Sequence, residues 1–248
     1  MADSKEYPRR GRHGHVVHEL GGRIVRGELE PGEVLPPEEE LVAGLGVGRA
    51  AVRDGVKVLT GKGLLAARPS AGTRVRPREL WNLLDPDVLS WRYAPDPSPE
   101  DVMALAGLRV ALEPGAARLA AESATDDDIR KMEIALANMR ATVRKPDQRE
   151  FIDADLEFHQ AVVAASGNDL LIYIYEMMTI ALRAVRPVHT YDQEHNVDTV
   201  PSHERVLAAI RARHHRKAAE AMDTVVTVAR KDAELEIQTP GETRRRHA

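Results

Sequence analysis

The chain has 248 residues, of which 30% are charged and only 4% aromatic, with a formal net charge of −4 and no cysteine. That length suits one large domain or two of ordinary size, and the absence of cysteine excludes disulfides, thiolate metal sites and cysteine nucleophiles. No apolar run approaches the roughly 20 residues that span a bilayer, and the start MADSKEYPRRGRHGH lacks the apolar core of a secretion signal, so a cytoplasmic address with no membrane partner is expected.

Residues 1–14 are basic and aperiodic and read as a disordered arm. From His15 to Arg26 the positions Val16, Val17, Leu20 and Ile24 repeat with helical spacing, ended by Gly27 and EPGEVLPP. PPEEELVAGLG predicts a short helix, with Pro37 in its first turn, Glu38–Glu40 at its positive end and Gly44 or Gly46 as the stop. GRAAVRDGVKVLTGKG predicts a third helix that buries Val52, Val56 and Leu59. LLAARPSAGTRVRP then reads as a hairpin of two short extended runs. Helix, short helix, turn, helix and hairpin over 15–77 make a winged helix-turn-helix, whose third helix is built to enter a major groove. Residues 78–98, with Pro86, Pro95 and Pro97, read as a linker pinned by Trp81, Leu83, Leu84, Leu89 and Trp91 to a neighbouring surface. From 99 to 236 the apolar period is helical throughout, over about 99–122, 125–144, 147–166, 168–186, 201–214 and 216–236, which predicts an all-helical bundle. Residues 237–248 read as a disordered tail. The fold class is mainly α.

Charge is unevenly placed. Residues 1–80 carry 14 Lys and Arg against 11 Asp and Glu, and the remainder carries 21 against 28. Between 49 and 78 stand eight basic side chains and one acid, Asp54. That is the pattern a phosphate backbone selects, although a solvated basic surface shares it.

Three helices of the C-terminal half place polar groups on their apolar faces. Asp155 and His159, four apart, share a face with Phe151, Ile152, Phe158, Val162 and Val163. His203 lies among Val206, Leu207 and Ile210, and Arg109 lies among Leu105, Ala106, Leu112, Ala116 and Ala120 with Glu113 one turn on. An uncompensated polar group in such a place costs several kcal/mol. One explanation is internal pairing, Asp155 with His159 and Arg109 with Glu113. The other is a lined cavity, because bundle cores are where such folds build ligand and metal sites. One carboxylate and two imidazoles suit Zn²⁺, Ni²⁺ or Mn²⁺ and leave coordination positions open. A guanidinium beside them suits a ligand carboxylate. Arg183 and His189 are further candidates to line such a pocket. His214 shares the orientation of His203, but 11 residues of helix put it roughly 16 Å away.

LPPEEELVAGLGVGRAAVRDGVKVLTGKGLLAARPSAGTRV resembles the N-terminal winged helix of GntR-family transcription regulators. LRVALEPGAARLAA (108–121), DLEFHQAVVAASGN (155–168) and HERVLAAI (203–210) resemble the helical (FCD-type) effector domain of the FadR subfamily. The resemblance spans roughly residues 12–230. It implies a homodimer on a double-stranded DNA operator, usually a repressor, released by a small carboxylate or sugar acid. Carried over position by position, it implies DNA contacts from Gly48, Arg49, Ala50, Arg53, Arg68 and Gly72. Gly48, Ala50 and Ala51 stand where members often have Ser or Thr donors, and Glu39 where some have Arg. It also implies a metal on Asp155, His159 and His203 and a carboxylate effector for Arg109 to catch, while Arg183, from its helix face, and His189, from its place after Pro187, remain further candidates for effector binding. Metal-binding members carry a fourth His 22 residues beyond the third, and here that place is Val225. Two other classes stay open: a metal-dependent enzyme using the Asp/His/His site, and an acyl-CoA-responsive regulator without metal.

Overall fold

The computed structural model describes residues 6–9, 11–68, 72–145, 147–189 and 193–238, with the side chains of 68, 186–189 and 193–195 outside that description. The chain divides into two compact units, Met1–Pro95 and Asp96–Ala248.

The first unit opens with α1 (Arg12–Val25), which starts three residues before the expected helix. The segment before it is tied down in part, because the Tyr7 amide donates to Asp87 Oδ1 at 2.9 Å and the Tyr7 carbonyl lies 2.9 Å from His18 Nε2. Then come α2 (Glu38–Leu45), closed by Gly46 at φ 63°, and α3 (Arg49–Gly61). β1 (Leu65–Arg68) and β2 (Gly72–Val75) pair antiparallel, with Arg68 opposite Gly72. A third extended segment joins the hairpin: Leu35 donates to the Thr73 carbonyl and Val75 to the Glu33 carbonyl. The run EPGEVLPP gave no sign of this, because an edge segment this short has no alternation to read.

Residues 78–98 are less of a linker than their proline content predicts. Asp85 caps α4 (Pro86–Tyr93) by accepting from the amides of Asp87 and Val88. Trp81, Val88 and Trp91 join the core of Val16, Val17, Leu20, Leu59 and Val75, while Leu83 and Leu84 stay exposed. Lys62, at the end of α3, ion-pairs with Asp85 at 2.9 Å and with the fully buried Asp87 at 2.5 Å. Burial alone would push its ammonium down, and the two carboxylates more than reverse this.

The second unit is a bundle of α5 (Pro99–Ser123), α6 (Asp126–Thr142), α7 (Arg149–Ala164), α8 (Asp169–His189), α9 (Gln193–Arg211) and α10 (His215–Gln238). Thr125 and Asp128 form a reciprocal capping box at the start of α6. α5 packs against α7, α8, α9 and α10 through a small-residue stripe of Ala116, Ala117, Ala120 and Ala121, which lets the helices approach closely. α9 begins at Gln193 rather than at the expected 201 and carries Pro201 inside. Pro201 reads as a start signal, but burial of Asn196 and Val200 in the preceding turns holds the earlier residues helical. Among the described residues no helix is long and apolar enough to cross a membrane.

The contact between α1 and α4 gives a direct test. A Cβ on Gly21 would lie 2.4 Å from the ring of the buried Trp91, whereas one on Gly44 would meet nothing within 4 Å. Gly21→Ala is expected to destabilise the first unit by about 1–3 kcal/mol through overpacking. Gly44→Ala is expected to be neutral or stabilising by up to about 1 kcal/mol, both read by thermal and urea denaturation.

Candidate nucleic-acid face and polar cavity

On α3 the apolar positions Val52, Gly55 and Leu59 turn inward. This leaves Arg49, Ala50, Arg53, Asp54 and Lys57 on one exposed face, beginning at the Gly48 cap. Arg49 and Arg53 are each more than 60% exposed, within a turn of one another, and so able to enter the same groove. Both are met by acids from α2: Arg49 Nη2 lies 2.9 Å from Glu39 and Arg53 Nε 2.7 Å from Glu38. Glu39, which cannot hold a phosphate, thus acts as a counterion to a recognition-helix arginine. Such exposed pairs are worth at most about 1 kcal/mol and yield readily to a phosphate or a guanine edge. Gly72, at φ 74°, opens β2 opposite Arg68. Arg68 ends β1, and its side chain lies outside the described residues.

In the bundle, the four polar positions read from three helices converge. A cavity of about 420 Å³ is lined by Arg109 from α5, Asp155 and His159 from α7, and His203 from α9. All four are buried, none more than 6% exposed. His203 Nε2 lies 3.1 Å from Asp155 Oδ1 and 3.2 Å from His159 Nε2, and His159 Nε2 lies 3.8 Å from Asp155 Oδ1. These three atoms span the edges of a metal coordination face, for which ligand bonds of about 2.0–2.2 Å are usual. Protonation makes the same point. His203 Nδ1 lies 2.9 Å from the Thr199 carbonyl, which only accepts, so Nδ1 carries the hydrogen. Its Nε2 then turns a lone pair to the point where the Asp155 carboxylate and the His159 Nε2 also converge. The donor set therefore fits a divalent ion.

Glu113 is fully buried behind this face, and its role as a bridge exceeds the simple Arg109 partner read from spacing. Its Oε1 accepts from Arg109 Nε at 2.6 Å, and its Oε2 lies 2.5 Å from His159 Nδ1. The second contact is short but off the line of a well-formed hydrogen bond, so it is chiefly electrostatic. Burial alone would raise the carboxyl pKa, but Arg109 and His159 hold it well below the usual carboxylate range. An ionised carboxylate behind Nδ1 turns the His159 Nε2 lone pair toward the cavity, the arrangement metal-binding imidazoles use. Tyr175 of α8 is buried nearby with a hydroxyl that has no hydrogen-bond partner among the described residues. Burial, and then the Glu113 charge, push its phenol well above the ordinary value.

One candidate falls elsewhere. Arg183 is half exposed and pairs with Asp153 at 2.5 Å, outside the cavity, because α8 turns Leu182 and Val185 inward instead. His189 closes α8, and its side chain lies outside the described residues. His214 is exposed in the turn before α10 and does not line the cavity. Val225 does line it, so the place of a fourth ligand is apolar. Asn196 and Thr199 were missed as lining residues because α9 was expected to start after them.

Residues 13–75 match the bacterial regulatory proteins of the gntR family, and residues 104–227 match the FCD domain. The galactonate operon transcriptional repressor of Escherichia coli K12 is 34% identical over 212 residues, covering 85% of this chain and 92% of the relative. This chain belongs to the GntR family. The uncharacterized regulator YieP of the same organism is 33% identical over 198 residues, covering 79% of this chain and 84% of YieP. A solved structure of Lar, which controls expression of the Listeria monocytogenes agr system, matches with a TM-score of 0.64 at 16% identity. That match covers 92% of this chain and 99% of Lar, and it shows the shared fold. The protein is accordingly a DNA-binding transcriptional regulator, with a GntR winged helix in the first unit and an FCD bundle in the second. The exposed arginine face sits within the GntR match and the polar cavity within the FCD match.

Removing one partner of a buried ion pair strands the other, so Glu113→Ala should cost about 3–5 kcal/mol of bundle stability. Urea denaturation of chelator-treated protein checks this, and Arg183→Ala, which breaks an exposed pair, should change stability by no more than about 1 kcal/mol.

Proposed function

We propose that the protein is a dimeric repressor whose operator binding is relieved by a small hydroxycarboxylate of the sugar-acid class, held in the FCD cavity beside a divalent ion. The observation that carries this is the convergence of Asp155, His159 and His203 on one point of a cavity that also presents the Arg109 guanidinium. Two further features support the reading. The galactonate operon repressor is a relative over most of both chains. The cavity also combines a charged floor with apolar walls from Leu105, Leu182, Val185 and Val225, and its size is that of a small-molecule site.

In this reading Asp155, His159 and His203 hold the ion, which when bound acts as a Lewis acid toward carboxylate and hydroxyl oxygens. Val225, which also lines the cavity, offers the ion no donor, so the remaining ligands would come from the effector or from water. Arg109 takes the carboxylate through its planar donor fork, and Glu113 fixes both Arg109 and His159. Asn196, Thr199 and Ser202 offer hydroxyl and amide partners to the rest of a polyol chain. On the DNA side, Gly48, Arg49, Ala50, Arg53, Arg68 and Gly72 contact the operator, and two heads of a C2 dimer read two half-sites. The protein binds its ligand without turning it over, and it acts in the cytoplasm.

Arg49→Ala and Arg53→Ala should each weaken operator binding by about 1–3 kcal/mol and reduce the slope of affinity against salt. Fluorescence anisotropy on a duplex selected from a random pool reads both, and binding no weaker in either variant would sink the DNA assignment. His203→Ala should abolish metal retention and effector response while leaving operator affinity intact. Elemental analysis of protein purified without added ions is the check, and unchanged metal content would refute the site. An aldonate at about 100 times its Kd should stabilise the metal-loaded protein by about 2.7 kcal/mol. Thermal shift against a panel of aldonates, with acyl-CoA and non-ligand acids as controls, distinguishes the effector class. Consumption of the aldonate by the loaded protein would favour the enzyme reading instead.

A further inference from the structure

Arg109 is not only near the proposed ligands. Its Nη2 donates to His159 Nε2 at 3.3 Å, the same nitrogen that faces His203 and Asp155. A ring nitrogen of this kind has one lone pair. While the guanidinium occupies that lone pair, the nitrogen is not available to a metal. Arg109 is also held through Nε to Glu113, at 2.6 Å, so its planar guanidinium must turn as one unit about that contact for Nη2 to leave His159. The bundle buries the group almost completely, so an alternative acceptor for Nη2 must come from within the cavity.

From this we infer that Arg109 is the resident cation of the ligand cluster. Its Nη2 occupies the His159 Nε2 lone pair when no metal is bound, and it is displaced from His159 when a metal binds. This rests on the metal reading given above and adds a coupling to it. A divalent ion at the triad removes the acceptor of Nη2 and repels the guanidinium, so the arginine is released toward the cavity. A carboxylate that enters there supplies the lost acceptor and offsets the repulsion. Each ligand therefore raises the affinity of the other, and the two effects are equal because linkage is reciprocal. Effector binding before metal binding is disfavoured, since Arg109 is still engaged with His159.

The test is metal affinity of the full-length protein, measured by isothermal titration with Zn²⁺ or Mn²⁺ in the absence of any carboxylate. Arg109→Gln keeps a donor for Glu113 but removes the competing charge, and it should bind the ion about 10-fold more tightly than wild type. Arg109→Lys restores the charge and should return affinity toward the wild-type value. With D-galactonate as the probe, wild type should show tighter metal binding by about 5- to 150-fold, and Arg109→Gln should show a clearly smaller enhancement, an equal one overturning the coupling through Arg109. Equal or weaker metal binding by Arg109→Gln overturns the inference while leaving the metal site standing. No metal binding by wild type or by Arg109→Gln overturns the metal reading and this inference together. If Arg109→Gln does not fold, ¹⁵N side-chain spectra of wild type decide the point. The Arg109 resonance, identified by its loss in Arg109→Lys, must move when Zn²⁺ is added, and an unmoved resonance overturns the inference.

Discussion

Glu113 has no contact with solvent, yet its carboxylate meets Arg109 of its own helix and His159 of a neighbouring one. A lone carboxylate at that depth would give up its charge, so its ionised state depends on both partners. The partners depend on it in turn. Arg109 would be an unpaired buried cation without it, and His159 would lose the negative charge that faces its Nδ1. Through His159 the same constraint reaches His203 and Asp155, 3.2 and 3.8 Å away. The cavity floor is therefore one connected network in which no charge can be moved alone. A change of charge at any one of these atoms is felt on α5, α7 and α9 together.

The first unit solves a different electrostatic problem. Arg49 and Arg53 of α3 lie in water, each opposite a glutamate from α2, where pairing contributes little and is readily exchanged. Its rigidity comes instead from apolar packing and from Lys62, clamped between two carboxylates where α3 ends. Those carboxylates belong to the segment whose prolines suggest a linker. Prolines mark where helices begin or end but say nothing of what the intervening tryptophans pack against. In this chain Trp81 and Trp91 bury themselves in the same core as α1 and α3.

The sequence alone determined that the chain is mainly helical, that a winged helix precedes a bundle, and that Asp155, His159, His203 and Arg109 turn toward apolar faces. Helical periodicity determines each of these locally, because a residue's angular position on its own helix needs no knowledge of any other helix. Three matters were decided only by the tertiary structure. Arg183 left the pocket because the rotation of α8 about its axis is set by its neighbours, which take Leu182 and Val185. Thr199 and Asn196 entered it because packing held α9 helical through Pro201 and two turns before it. And Glu113 became the hub because a carboxylate with one partner along its own helix looks the same in sequence as one that also meets His159, 46 positions further along the chain. Spacing reports the first contact, and only the approach of α7 to α5 creates the second.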